Sequence, residues 1–290
     1  MTIRSILMGL LCMAGTMAAS AQEIRISASD LLGEYIEPPL EGFEQENGVE
    51  LRIDKIGTLP AMDRLRADET DIAIIAVPEG QPVPRDSYMV YPFAYDVAVI
   101  VVNESNPIDE ISMARLGGVF GANEELNHNS WGELGLSGWG NRSIKPLVGQ
   151  KPGSISLELF KNSVLLRGGL KPSVSIVNDS EVEALVASDA VSIAILPNLP
   201  ESPRLKALMV SSAKDGPAFG PSEDNVHYGD YPIRLAFFIV FEERDEERVK
   251  PVLRALLSDE TAAALRENDL FALPDTVRRK FLIDLDLERD

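Results

Sequence analysis

The chain is 290 residues long, 45% apolar and 25% charged, with a formal net charge of −19. This composition is that of a soluble globular protein, and so acidic a surface repels phosphate backbones, which excludes nucleic acid as a partner. The single cysteine, Cys12, lies in the leading segment, so no disulfide is available to the rest of the chain.

Residues 1–21 read as a signal peptide. Arg4 precedes an apolar run from Ile6 to Ala14, and Ala19-Ser20-Ala21 forms a small-x-small cleavage site before Gln22. The run is shorter than the ~20 apolar residues of a spanning helix. Export without disulfides leaves stability to the core of a large domain. From Gln22 onward, β-rich runs alternate with helical patterns. EIRISAS (23–29) alternates Ile24, Ile26 and Ala28 with polar residues, as a strand does. Residues 31–48 carry Leu32, Ile36, Leu40 and Phe43 at helical spacing, with Pro38-Pro39 as an interruption and Asn47-Gly48 as a stop. VELRIDKIG (49–57) is a second strand, and residues 59–69 form a helix with Pro60 in its first turn. TDIAIIAVP (70–78) is continuously apolar, the pattern of a strand buried on both faces of a parallel sheet.

The middle repeats the theme. DVAVIVVN (96–103) is a buried strand, and a helix starts near Ser112. VSIVND (174–179) and VSIAILP (191–197) flank a helix at SEVEALVAS. PIRLAFFIVFEER (232–244) is a strongly apolar strand, and the remainder is helical in pattern apart from breaks. Alternating strands and helices specify an open α/β architecture. YPFAYDVAVIVV and DYPIRLAFFIVF each place an aromatic-Pro step before an apolar strand, and they predict two crossovers between two lobes. Lobe one is then 22–97 plus 234–290, and lobe two is the inserted 98–233. A single larger sheet with an excursion is the alternative.

Catalytic and cofactor motifs are not found. His128 and His227 lie in polar segments that read as solvated loops. No metal-ligand spacing, Walker loop or dinucleotide fingerprint occurs, and GLSGWG (135–140) lacks the nucleophile-elbow frame. The expectation is therefore no enzyme, no cofactor and no metal.

What remains are hydroxyls and amides at strand-to-helix turns: Ser29 and Asp30, Thr58, and Ser154 with Ser156 in GQKPGSISLELF. Such turns, at the carboxyl ends of strands, present free N–H groups and partial positive charge to an anion. The same residue types are also the preferred helix caps, so each position has a second, purely structural reading.

The order of segments resembles the phosphate-binding periplasmic component of ABC phosphate transporters, within the type 2 periplasmic-binding-protein superfamily. The resemblance rests on ISASDLL, DKIGTLPAM, ADETDIAIIAV, the crossover YPFAYDVAVIVVNESNPI, the segment MARLGGVFGA followed by SWGEL, and the return strand YGDYPIRLAFFIV. It implies a two-lobed α/β fold with mixed open sheets joined by two crossover strands. It also implies a periplasmic protein that captures a small oxyanion, phosphate foremost, for an ABC permease in the membrane. Ser29, Asp30, Thr58, Ser154 and Ser156 would be the contacts. Gly153 and Ser154 match the family's Arg-x-x-x-Gly-Ser-Gly-Thr turn, Ile155 replaces its second glycine, and Ser156 replaces its threonine. The upstream arginine is missing, with Gln150 and Lys151 nearby, and Ala76-Val77 stand where phosphate binders often place an Asp. These departures motivate an alternative, an envelope sensor or interaction scaffold that has lost transport.

Overall fold

A computed structural model describes residues 23–122 and 127–287; the expected signal peptide lies outside the described residues. In chain order, β1 (Glu23–Ala28), α1 (Gly33–Asn47), β2 (Glu50–Lys55), α2 (Thr58–Arg66) and β3 (Ile72–Pro78) come first. β4 (Met89–Val97) then runs through Ala98 into β5 (Val99–Asn103). β6 (Glu110–Ser112), α3 (Met113–Phe120), β7 (Lys145–Gln150), α4 (Ser156–Ser163) and β8 (Ser175–Asn178) follow. Next are α5 (Asp179–Ser188), β9 (Ser192–Leu196), β10 (Leu205–Ala207), β11 (Met209–Ser211) and α6 (Glu223–Tyr228). β12 (Arg234–Phe241), α7 (Glu246–Leu256), α8 (Asp259–Glu267), β13 (Phe271–Ala272) and α9 (Asp275–Asp286) complete the described fold.

The strands form two mixed sheets, ordered β13-β4-β12-β3-β1-β2 and β10-β5-β9-β7-β8, beside a small β11-β6 ladder. β4 belongs to the first sheet and β5 to the second, so one continuous run crosses between them. The chain returns through Tyr231-Pro232-Ile233 into β12. The crossings lie side by side: Ala98 N–H donates to Ile233 O at 3.1 Å, and the buried Tyr231 hydroxyl donates to Ala98 O at 2.7 Å.

Period-2 patterning explains how β3 holds the first sheet together. Ile72 and Ile74 enter the main core with Ile36 and Leu40 of α1, while Ala73, Ile75 and Val77 pack on the opposite face with Ala61, Met62 and Leu65 of α2. β3 is parallel to β1 but antiparallel to β12, so the wholly parallel surroundings expected from its apolar run are corrected to mixed ones. The reason is the return strand, which inserts between β3 and β4.

One further expectation changes. α1 passes unbroken through Pro38 and Pro39, although an interior proline costs about 3 kcal/mol. Burial of Ile36, Pro39 and Leu40 offsets that cost, since each fully buried aliphatic side chain contributes ~1.5–3 kcal/mol. Gly48, at φ 63°, ends the helix as expected and donates to Glu44 O at 2.9 Å. One break in the C-terminal helical pattern is an edge strand: Phe271 and Ala272 pair with Tyr95 and Ala94, and both are buried.

Several helices are capped by serine. Ser112, Ser222 and Ser258 accept from the N–H groups of Arg115, Asn225 and Thr261 at the starts of α3, α6 and α8. Ser258→Ala is expected to lower stability by about 1 kcal/mol, read as a shifted urea midpoint at constant slope.

Candidate functional site

The expected site residues follow the carboxyl ends of three strands: Ser29 and Asp30 come after β1, Thr58 opens α2 after β2, and Ser154 and Ser156 come after β7. Ser29 is buried, donates its N–H to Ile74 O at 2.7 Å, and its carbonyl accepts from Leu32 and Gly33. Asp30 is exposed, and its Oδ1 lies 3.7 Å from where a β-carbon on Gly57 would sit. Gly57 holds φ at 89°, a conformation side chains resist, and it serves as the N-cap of α2. Thr58 opens that helix with its hydroxyl tied to β3: Oγ1 accepts from Ala76 N–H at 2.9 Å.

Across the cleft, Lys151 to Ile155 link β7 to α4. Gly153 takes φ 83°, and Ser154 Oγ accepts from Ser156 N–H at 3.2 Å while lying 3.1 Å from Ser156 Oγ. Ser156 itself is 2% exposed. The N-cap positions of α1, α2 and α4 are Leu32, Gly57 and Ile155, and none of them gives a side-chain cap. Ser29, Asp30 and Thr58 are thus not caps in position, and Ser154 fills that role in part by taking the first N–H of α4. An α-helix leaves its other first-turn donors without intrahelical partners.

Between the two sides lies a cavity of about 70 Å³, lined by Leu31 ahead of α1, Tyr35 within it, Lys151, Gly153 and Ser154 of the opposite turn, and Asp96 of β4 among others. Of the five residues expected from the sequence, Ser154 lines it; Ser29, Asp30, Thr58 and Ser156 lie outside its lining. Ser29 and Asp30 directly precede the lining residue Leu31, and Thr58 is held against β3 through Ala76. Residues missed by sequence reasoning are Tyr35, Asp96, Asn198 and Asp269. Asp96 had left a signal, as a charged residue inside the apolar run of the first crossover.

The charges of the cavity are unusual. Burial pushes the Asp96 carboxyl up to about 7, the Val97 N–H opposes that, and the Asp269 charge adds to it. Lys151 donates to Asp269, and this hydrogen bond raises the lysine above its ordinary value. Asn198 donates to the other oxygen of Asp269 at 2.8 Å. Next to them Arg266 of α8 makes a bidentate pair with Glu223 of α6, at 2.6 and 3.1 Å. Partly exposed pairs of this kind contribute about 0.2–1 kcal/mol each, so together they hold the two sides reversibly.

The two histidines stand apart from this cavity. His227 lies in α6 rather than in a loop, because Ser222 caps that helix six residues before Tyr228 ends it. Its Nδ1 is 2.8 Å from the Tyr95 hydroxyl, and burial followed by Arg234 lowers its pKa. Arg234 in turn donates to Val226 O and His227 O and pairs with Glu79, bracing α6 against the ends of β3 and β12. His128 is partly buried, with its N–H on Gly118 O at 2.8 Å. Among the described residues no His, Cys, Asp or Glu cluster could hold a metal ion, and no helix is long and apolar enough to cross a membrane.

Two mixed sheets joined by paired crossover strands, with a small polar cavity between their strand ends, define the two-lobed fold of the periplasmic binding proteins. The family model of the PBP superfamily domain matches residues 15–260, and the chain belongs to that family. In sequence it is 23% identical over 206 residues to the phosphate-binding protein PstS of Pseudomonas aeruginosa, covering 68% of this chain. The match spans 64% of that relative, a little under two thirds of its length. It is 27% identical over 246 residues to the protein SphX of Synechococcus elongatus, covering 78% of this chain and 70% of the relative. In structure, PstS from Borrelia burgdorferi has the same fold at a TM-score of 0.70 and 15% identity, covering 87% of this chain and 99% of that one.

Proposed function

We propose that the chain is an exported solute-binding protein that captures a small oxyanion, phosphate foremost, between its lobes for an ABC permease. Lobe one is 22–97 with 234–290, lobe two is 98–233, and residues 1–21 direct export to the periplasm. The observation that carries this reading is the cavity of about 70 Å³ lined by Lys151, Gly153 and Ser154. It joins an ammonium group to a glycine turn and a helix start, the three features that recognise an anion without catalysis. A cavity of this size suits an ion of few atoms rather than a sugar or peptide. The name of one sequence relative, the phosphate-binding protein PstS, supports phosphate among the oxyanions. Closure about Ala98 and Ile233 would bury the ligand, and the ligand would select the closed state.

Calorimetry on the protein from Gln22 onward, titrated with phosphate, sulfate and small carboxylates, tests the reading. The expected result is one site with phosphate; no heat with any oxyanion would sink it. Ser154→Ala with Ser156→Ala is expected to weaken phosphate binding at least about tenfold, the scale of losing one or two charge-assisted hydrogen bonds. Unchanged affinity would reduce both serines to parts of a helix start. A second reading, an envelope sensor or scaffold without transport, is favoured by Ala76-Val77 and by the missing arginine, whose bidentate pairing Lys151 cannot reproduce. Phosphate binding absent in the intact protein would favour it.

A further inference from the structure

Asp269 occupies an unexpected place. It belongs to lobe one in sequence, two residues past α8, yet both its carboxylate oxygens are held from lobe two, by Lys151 and by Asn198. Its backbone sits at φ 64°, in the left-handed region that few residues other than Gly, Asn and Asp enter readily. That conformation turns the chain out of α8 and sets the carboxylate at the cavity wall, where Asp269 and Lys151 are both lining residues. Lys151 is the one cation among the residues lining the cavity.

We infer that Asp269 is a built-in counter-anion: without ligand it occupies Lys151 and Asn198 and latches the lobes, and an incoming oxyanion must displace it. Asp269 thereby sets the affinity of the cleft. The inference rests on the oxyanion reading for its second half, while the latch stands on the structure's own contacts. The chemistry is direct competition of one carboxylate with another anion for one ammonium. Neighbouring groups agree with it. Asp96, on the same cavity wall, adds negative charge when ionised, and the Arg266–Glu223 pair reinforces the same jaw from the end of α8.

Asp269→Asn separates the charge from the fold, because asparagine tolerates the left-handed backbone and still offers Asn198 an acceptor. Small-angle scattering in a zwitterionic buffer without phosphate or sulfate reads the latch alone. Asp269→Asn and Lys151→Met are each expected to have a larger radius of gyration than the parent protein, and 0.5 M sodium chloride should expand the parent but neither variant. Equal radii for parent and Asp269→Asn would overturn the latch. Titration with inorganic phosphate reads the competition. Asp269→Asn is expected to bind about tenfold more tightly, as follows when the cation is internally occupied about nine-tenths of the time. Unchanged or weaker affinity would overturn the competition even if the lobes open. If neither protein binds phosphate, the phosphate reading falls and scattering alone decides the latch.

Discussion

Asp71→Ala is expected to lower the free energy of unfolding by about 3 kcal/mol, among the largest single losses available in this chain. Asp71 directly precedes β3, at the end of the first sheet opposite the cleft, and its side chain is 2% exposed. It accepts from Arg25 N–H at 2.7 Å, from Arg25 Nε and Nη2 at 3.2 and 2.7 Å, and from Arg248 Nη2 at 2.9 Å. Removing the carboxylate leaves two guanidinium groups facing each other with their shared anion gone. Breaking a buried pair costs ~3–5 kcal/mol, and the lower figure applies because Arg25 and Arg248 keep 37% and 28% of their exposure. The exposed Arg66–Asp63 pair, by contrast, is worth at most about 1 kcal/mol.

The same site gives a pH signature. Burial alone would raise the Asp71 pKa, but the hydrogen bonds from Arg25 and Arg248 outweigh it and hold the group far below the usual carboxylate range. A depressed folded pKa contributes stability that is complete above the unfolded value of ~3.9 and is lost as pH falls below it. Urea midpoints of the parent and Asp71→Asn are therefore expected to differ most at pH 6 and to converge between pH 5 and 2. A gap that stays constant over that interval would show that Asp71 acts through shape rather than charge.

Much of this architecture was legible because periodicity reports burial. The alternation in EIRISAS and the apolar run of TDIAIIAVP place β1 and β3 within a few residues of where they stand. Strand partners were less visible. An apolar run reads alike beside a parallel or an antiparallel neighbour, so the insertion of β12 next to β3 lay beyond sequence pattern. Pro38-Pro39 misled for a related reason: the local cost of proline is written in the sequence, while the tertiary burial that offsets it is not. For the site, a hydroxyl before a helical pattern marks a strand-to-helix turn but not what that hydroxyl bonds. Thr58 spends its hydroxyl on Ala76, and Ser154 shares its own with Ser156. Lys151 and Asp269 are 118 residues apart, and nothing local announces that they meet.

Asp96→Asn is expected to stabilise the protein above pH 7 by up to about 4 kcal/mol while leaving it unchanged near pH 4. Asp96 keeps its proton in the folded state until about pH 7, chiefly because burial disfavours the charged form. In the unfolded chain the same group ionises near ~3.9. From that value up to about 7 the unfolded state holds fewer protons, so stability falls as pH rises, and above 7 the full penalty of ~3 pH units at 1.36 kcal/mol each remains. Asparagine has the same shape and no charge, so it removes the penalty. Denaturation of parent and variant at pH 4, 6 and 8 should show the gap widening with pH; a gap independent of pH would mean that Asp96 ionises normally in the fold. A cost of this size on the hinge-side wall of the cavity is the kind that function, rather than packing, retains. The protonated carboxyl can donate a hydrogen bond to an anion beside Lys151, and the ionised form repels one. Oxyanion binding should accordingly weaken from pH 6 to 8 in the parent, and Asp96→Asn should flatten that profile, because an amide donates at every pH.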